Sequence, residues 1–139
     1  MGGDINSKDQ EILDSLRSKF VESSEQKLTE ILTEIAALRL PYHPDDLETV
    51  RNEIHTLKGL GGTFGFRDFS LIAGRFEDYL EGLTEMSDQH IDNLRVFISR
   101  LRDCIERETY PTPKELELIL SELPTLYRRS GINSWSETF

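Results

Sequence analysis

The stretch 45–65, DDLETVRNEIHTLKGLGGTFG, decides how this chain folds. Leu47, Val50, Ile54, Leu57, Gly61 and Phe64 recur at spacings of three and four, the repeat of an α-helix with one apolar face. Asp45 and Asp46 suit its first turn, where negative charge opposes the positive end of the helix dipole. Gly65 is the natural stop. Ahead of this helix Pro41-Tyr42-His43-Pro44 reads as a connector.

The same spacing extends in both directions. Upstream, from about Asp9, Ile12, Leu13, Leu16 and Phe20 are followed by Leu28, Ile31, Leu32, Ile35 and Leu38 on one face. Ser23 and Ser24 leave open one long helix or two in tandem, and the run is expected to end at Leu40-Pro41, since the residue before proline avoids the α region. Downstream, Phe66, Phe69, Ile72, Ala73, Phe76, Leu80 and Leu83 mark the inner face of a third helix. A fourth starts at Ser87 or Asp88, runs through Ile91, Leu94, Ile98, Leu101 and Ile105, and is expected to end at Tyr110-Pro111. Thr112-Pro113-Lys114-Glu115 has the form of a capping box with proline at the first helical position. It opens a fifth helix carrying Leu116, Ile119, Leu120 and Leu123 as far as Pro124.

Composition agrees. There are 19 Leu and 11 Ile against 3 Val, and no sustained alternation with hairpin turns, so the chain reads as all-α. Short connections make successive helices antiparallel neighbours, which predicts an up-down four-helix bundle with one additional helix. Residues 1–8 are expected to form a flexible N-terminal tail, 9–130 the bundle, and 131–139 a polar C-terminal tail. For Trp135 and Phe139 in that tail, a loose end, a strut returning to the bundle and a partner-binding peptide all remain open.

With 139 residues, 16 Lys+Arg and 26 Asp+Glu, the formal charge is −10. That balance argues against nucleic acid and against anionic membrane, both of which need a basic surface. No apolar run approaches the roughly 18 residues of a membrane span, and the first residues lack a signal-peptide layout. The single cysteine, Cys104, offers neither an internal disulfide nor a zinc cluster, which makes a cytoplasmic location the expectation.

The chemistry concentrates on the second helix. His55 lies one residue, about 100°, from the inward Ile54, so its imidazole should face water or the bundle's edge. Arg51, Asn52, Lys58 and Gly59 are its neighbours at three and four residues, with Gly62 a turn further. Glycine costs a helix interior roughly 1 kcal/mol relative to alanine, so Gly59, Gly61 and Gly62 together break a local rule, which points to function. Gly61 sits on the inward stripe and suits close helix packing, whereas Gly59 and Gly62 count as outward and would clear space for a partner. An imidazole is largely unprotonated near pH 7 and nucleophilic, and Lys58 one turn away would stabilise a phosphoryl group on it. The glycines are no nucleotide loop, because no strand precedes them and the lysine comes before them instead of after. His43 and His90 read as ordinary loop and first-turn residues, and no histidine pair has metal-site spacing.

The run His55-Thr56-Leu57-Lys58-Gly59-Leu60-Gly61-Gly62-Thr63-Phe64-Gly65-Phe66 resembles the motif of histidine-containing phosphotransfer (HPt) domains, and its ending is similar to that of the chemotaxis histidine kinases. The resemblance implies that His55 is phosphorylated and exchanges the group with aspartates of response-regulator receiver domains. It makes Lys58 the charge partner, Gly59 the clearance residue, and Glu77 the carboxylate that holds one ring nitrogen. Arg51, Asn52, Gly59, Gly62 and Phe66 become candidate docking residues. One position departs: the chemotaxis domains often carry a second histidine three residues before the glutamate, where this chain has Gly74. No ATP-binding box is present, so phosphate is expected from a histidine kinase, a hybrid kinase or a receiver, with the chain a carrier that needs no metal or other cofactor. The rival expectation is a helical docking module that binds a receiver or kinase as scaffold or competitor without being phosphorylated.

Overall fold

The computed structural model describes residues 7–126. Five α-helices follow in order: α1 (Ser7–Ala36), α2 (Glu48–Thr63), α3 (Arg67–Gly82), α4 (Asp88–Glu106) and α5 (Pro113–Ser121). Among the described residues there is no strand. α2 packs on α3, α3 on α4, α4 on α1 and α1 on α2, which closes an up-down four-helix bundle. α5 is the additional helix. The structure begins two residues before the expected helix start, since Ser7 and Lys8 already belong to α1. The rest of the expected tails, with Trp135 and Phe139, lies outside the described residues.

α1 is one unbroken helix of 30 residues, about 45 Å long, because Ser24 packs fully buried and Ser23 returns its hydroxyl to Phe20 O at 3.3 Å. It ends at Ala36, four residues short of the expected Leu40, and Leu40 is exposed. Its first turns also depart from expectation. Ile12 and Leu16 are 53% and 43% exposed, and burial begins at Phe20. At 16 residues α2 is about half as long, so α1 overshoots its neighbour and those turns have no helix to face. Asp45 and Asp46 fall in a 3-10 turn, Pro44–Leu47, which leads into α2. α4 stops at Glu106 instead of Tyr110, with Arg107 leaving the helix in an extended conformation. The box at Thr112 and Glu115 caps α5 as expected, with contacts of 2.8 and 3.1 Å.

The core is the layer where the stripes meet. Phe69, Phe76 and Phe97 are its largest fully buried side chains, and Phe76 stacks on Phe97 with centroids 4.7 Å apart and planes 4° from parallel. Phe20 gathers Phe66 at 4.9 Å and Phe69 at 5.4 Å at the end where α2 turns into α3. Gly65 makes that turn with φ +85, and Phe66 N–H reaches back to Gly61 O at 2.8 Å. Arg17 of α1 donates from Nε to Phe64 O at 3.1 Å and so fastens the turn. Further along α1, Lys27 ties it to α2 through Glu53 at 3.2 Å.

Two glycines of α2 have opposite surroundings. A β-carbon at Gly61 would stand 2.8 Å from Cδ1 of the buried Phe69 ring, whereas one at Gly59 would meet nothing within 4 Å. Gly61→Ala should therefore destabilise the chain, since overpacking costs about 1–3 kcal/mol against roughly 1 kcal/mol gained in helix propensity. Gly59→Ala should stabilise it by about 0.5–1 kcal/mol. Urea unfolding midpoints of both variants test this, and an equal shift in one direction would contradict it.

Candidate functional site

The inward side chains of α2, Val50, Ile54, Leu57 and Gly61, fix its rotation, and His55 consequently emerges outward. Its side chain is 66% exposed. α3 packs alongside with Phe69, Ile72, Ala73 and Phe76 inward, which turns the adjacent Glu77 to the seam between the two helices. There the Glu77 side chain is only 12% exposed, so it is not the solvated carboxylate of an ordinary helix surface. Its two oxygens are divided between two partners. Oε2 lies 2.7 Å from His55 Nδ1, and Lys58 Nζ donates to Oε1 at 2.7 Å.

Electrostatics follow from that division. Burial pushes the Glu77 carboxyl up, but the hydrogen bonds from Lys58 and His55 outweigh it and leave the group below the usual glutamate value. The hydrogen bond to Glu77 raises Lys58 in turn. An ionised carboxylate only accepts, so Nδ1 is the donor in this contact, and Nε2 takes no part in it. The other two histidines spend Nδ1 differently. His43 Nδ1 accepts from Asp45 N–H at 3.2 Å, and His90 Nδ1 accepts from Ser87 N–H at 3.0 Å in the box that caps α4. Both serve as backbone caps. The Asp45 carboxylate also stands 3.6 Å from His43 Nδ1, but among the three only His55 has a carboxylate as close as 2.7 Å to its ring.

The remaining sequence candidates separate. Asn52 and Gly59 are exposed beside the ring, with Gly59 opening a bare patch. Arg51 is half-buried and faces Glu81 of α3 at 4.0 Å. Gly62 is exposed too, but its β-carbon would stand 3.5 Å from Ser70 Oγ of α3, so the space beside it is bounded where that beside Gly59 is open. Phe66 is half-buried against Phe20 at the end of the bundle and does not join the patch around the ring. Sequence reasoning passed over Ser70, whose hydroxyl donates to Lys58 O at 3.0 Å and locks the two helices together beside the lysine. Its only sequence signal is a small polar residue on the α3 face opposite the glycines. Lys58, expected one turn from the ring, is ion-paired with Glu77 at 2.7 Å. Among the described residues no three His, Cys, Asp or Glu side chains gather as a metal site, and no helix is long and apolar enough to cross a membrane.

The pieces make an outward imidazole, a carboxylate behind it, and an ammonium that anchors the carboxylate. No curated protein and no solved structure matches the chain. The family model described as Hpt domain matches residues 15–108, which spans most of α1 through the whole of α4 and leaves α5 outside. That match covers more than half of the sequence, and the chain therefore belongs to the Hpt-domain family, the phosphotransfer modules of two-component signalling.

Proposed function

We propose that His55 accepts a phosphoryl group on Nε2 and exchanges it with receiver-domain aspartates, as a carrier between partner proteins. One observation carries the reading: the 2.7 Å contact between His55 Nδ1 and the largely buried Glu77, behind a ring whose other nitrogen is open to solvent. In the transfer, Nε2 attacks the phosphorus of an aspartyl phosphate. The N–P bond forms as the P–O bond breaks, and aspartate leaves as a carboxylate. Nδ1 keeps its hydrogen, so the ring becomes cationic and Glu77 stabilises the charge where it develops. Lys58 holds Glu77 ionised and in place while adding positive potential near the incoming phosphate. Gly59 and Asn52 leave the approach open to a protein partner that supplies its own aspartate and metal.

The direct test is incubation of the chain with a panel of phosphorylated receiver domains, followed by mapping of the labelled residue. The expected result is a single acid-labile, base-stable adduct on His55. Receivers that bind but never transfer would overturn the reading in favour of a docking module. Glu77→Ala should slow uptake by about 10–100-fold, because it removes the group that orients the ring and balances its charge. Single-turnover uptake measures this, and an unchanged rate would remove Glu77 from the mechanism.

A further inference from the structure

Lys58 reaches Glu77 by crossing the surface of α3, and at the crossing α3 has no side chain. A β-carbon at Gly74 would stand 3.5 Å from Lys58 Cδ, an ordinary contact, so a methyl group fits against the lysine stem. Gly74 lies three residues before Glu77, one turn away on the same face. Ser70, one turn earlier still, bonds Lys58 O at 3.0 Å. Toward α2 the third helix thus presents a small hydroxyl, a gap and a carboxylate, and the lysine stem fills the gap. Glycine in a helix interior is disfavoured relative to alanine, and Gly74 has none of the backbone demand that Gly65 meets with its positive φ.

We infer that Gly74 is a positioning residue of the phosphotransfer site: its missing side chain is the passage by which Lys58 reaches Glu77, and any group larger than methyl there releases the lysine. The inference rests on the phosphotransfer reading for its meaning, while its geometry stands apart from it. With the passage open, Glu77 receives two donors, one on each oxygen. With it closed, Glu77 keeps only His55, loses the ion pair that offsets its burial, and takes up a proton more readily. The other charges facing the cluster are Arg51 on α2 and Asp78 and Glu81 on α3, and none of them changes in the variants below.

The test uses the full chain as Gly74→Ala, Gly74→Leu, Lys58→Met and the double variant. Two readouts are taken: the Glu77 carboxyl titration by carbon-13 NMR, and the uptake rate from a phosphorylated receiver. Gly74→Ala should leave the titration in place. Gly74→Leu should shift it upward as Lys58→Met does, and the double variant should match Lys58→Met alone, because the lysine can be lost only once. Uptake should fall several-fold in the same three variants that shift the titration. A Gly74→Leu titration identical to wild type, or a further shift on top of Lys58→Met, would overturn the inference. If Gly74→Leu fails to fold, Gly74→Gln, whose amide reaches solvent, carries the same comparison. A chain that takes no label from any receiver refutes the phosphotransfer reading alone, since the titration still decides the role of Gly74.

Discussion

His55→Gln should abolish phosphoryl uptake completely while leaving the bundle folded. The His55 ring is mostly exposed and fills no space in the core, so its replacement removes one hydrogen bond to Glu77 and little packing. The expected loss of stability is no more than about 1 kcal/mol. Glutamine offers an amide that can still approach Glu77 but has no nucleophilic nitrogen, so geometry and chemistry are separated in one substitution. Label from a phosphorylated receiver, followed against circular dichroism of the same sample, makes the measurement. A folded variant that still takes up stoichiometric label would place the acceptor elsewhere. His43 and His90 serve as internal controls, since each ring is already engaged with backbone N–H groups.

The second large effect is on stability. Phe76→Ala should cost about 3–5 kcal/mol, a substantial share of the roughly 5–15 kcal/mol that holds a domain of this kind together. Phe76 is fully buried and stacked on Phe97, and Tyr79 closes on the same partner with centroids at 5.4 Å. Removing the ring opens a cavity between α3 and α4, which rigid helices fill poorly. Because Phe76 directly precedes Glu77, the loss also loosens the carboxylate, and residual folded protein should transfer more slowly. Urea denaturation gives the magnitude. A loss below about 1 kcal/mol would mean that the two helices collapse onto one another more easily than their packing suggests.

The helical spacing alone made the four-helix arrangement and the rotation of α2 legible, because apolar residues at three and four leave one face for each helix to bury. Spacing does not say where a neighbour ends. Ile12 and Leu16 continue the stripe of α1 past the reach of α2 and so lie exposed, although by pattern they equal Leu28 and Ile31. Helix ends were less legible for a similar reason. α1 and α4 stop four residues before the proline-linked positions Leu40 and Tyr110, in segments whose breakers mark a limit but not the last turn. At the site, His55 and its outward direction could be counted along one helix. The contact of Glu77 with the ring, 22 residues away on another helix, could not, and entered only through the family resemblance, while the ion pair of Lys58 with Glu77 was not foreseen at all. Gly62 shows the same limit: it is exposed like Gly59, yet a β-carbon there would touch Ser70 of α3 whereas one at Gly59 would meet nothing.

His55, Lys58 and Glu77 all belong to the hairpin of α2 and α3, with 22 residues separating the first from the last. Closing so short a loop costs little chain entropy, so these groups can meet within that hairpin without contacts between distant parts of the chain. The proposed phosphotransfer site is in that sense a cassette. Divergence on the outer faces of α1, α4 or α5 can leave the cassette's internal distances untouched, provided that the packing of Phe76 on Phe97 of α4 is kept.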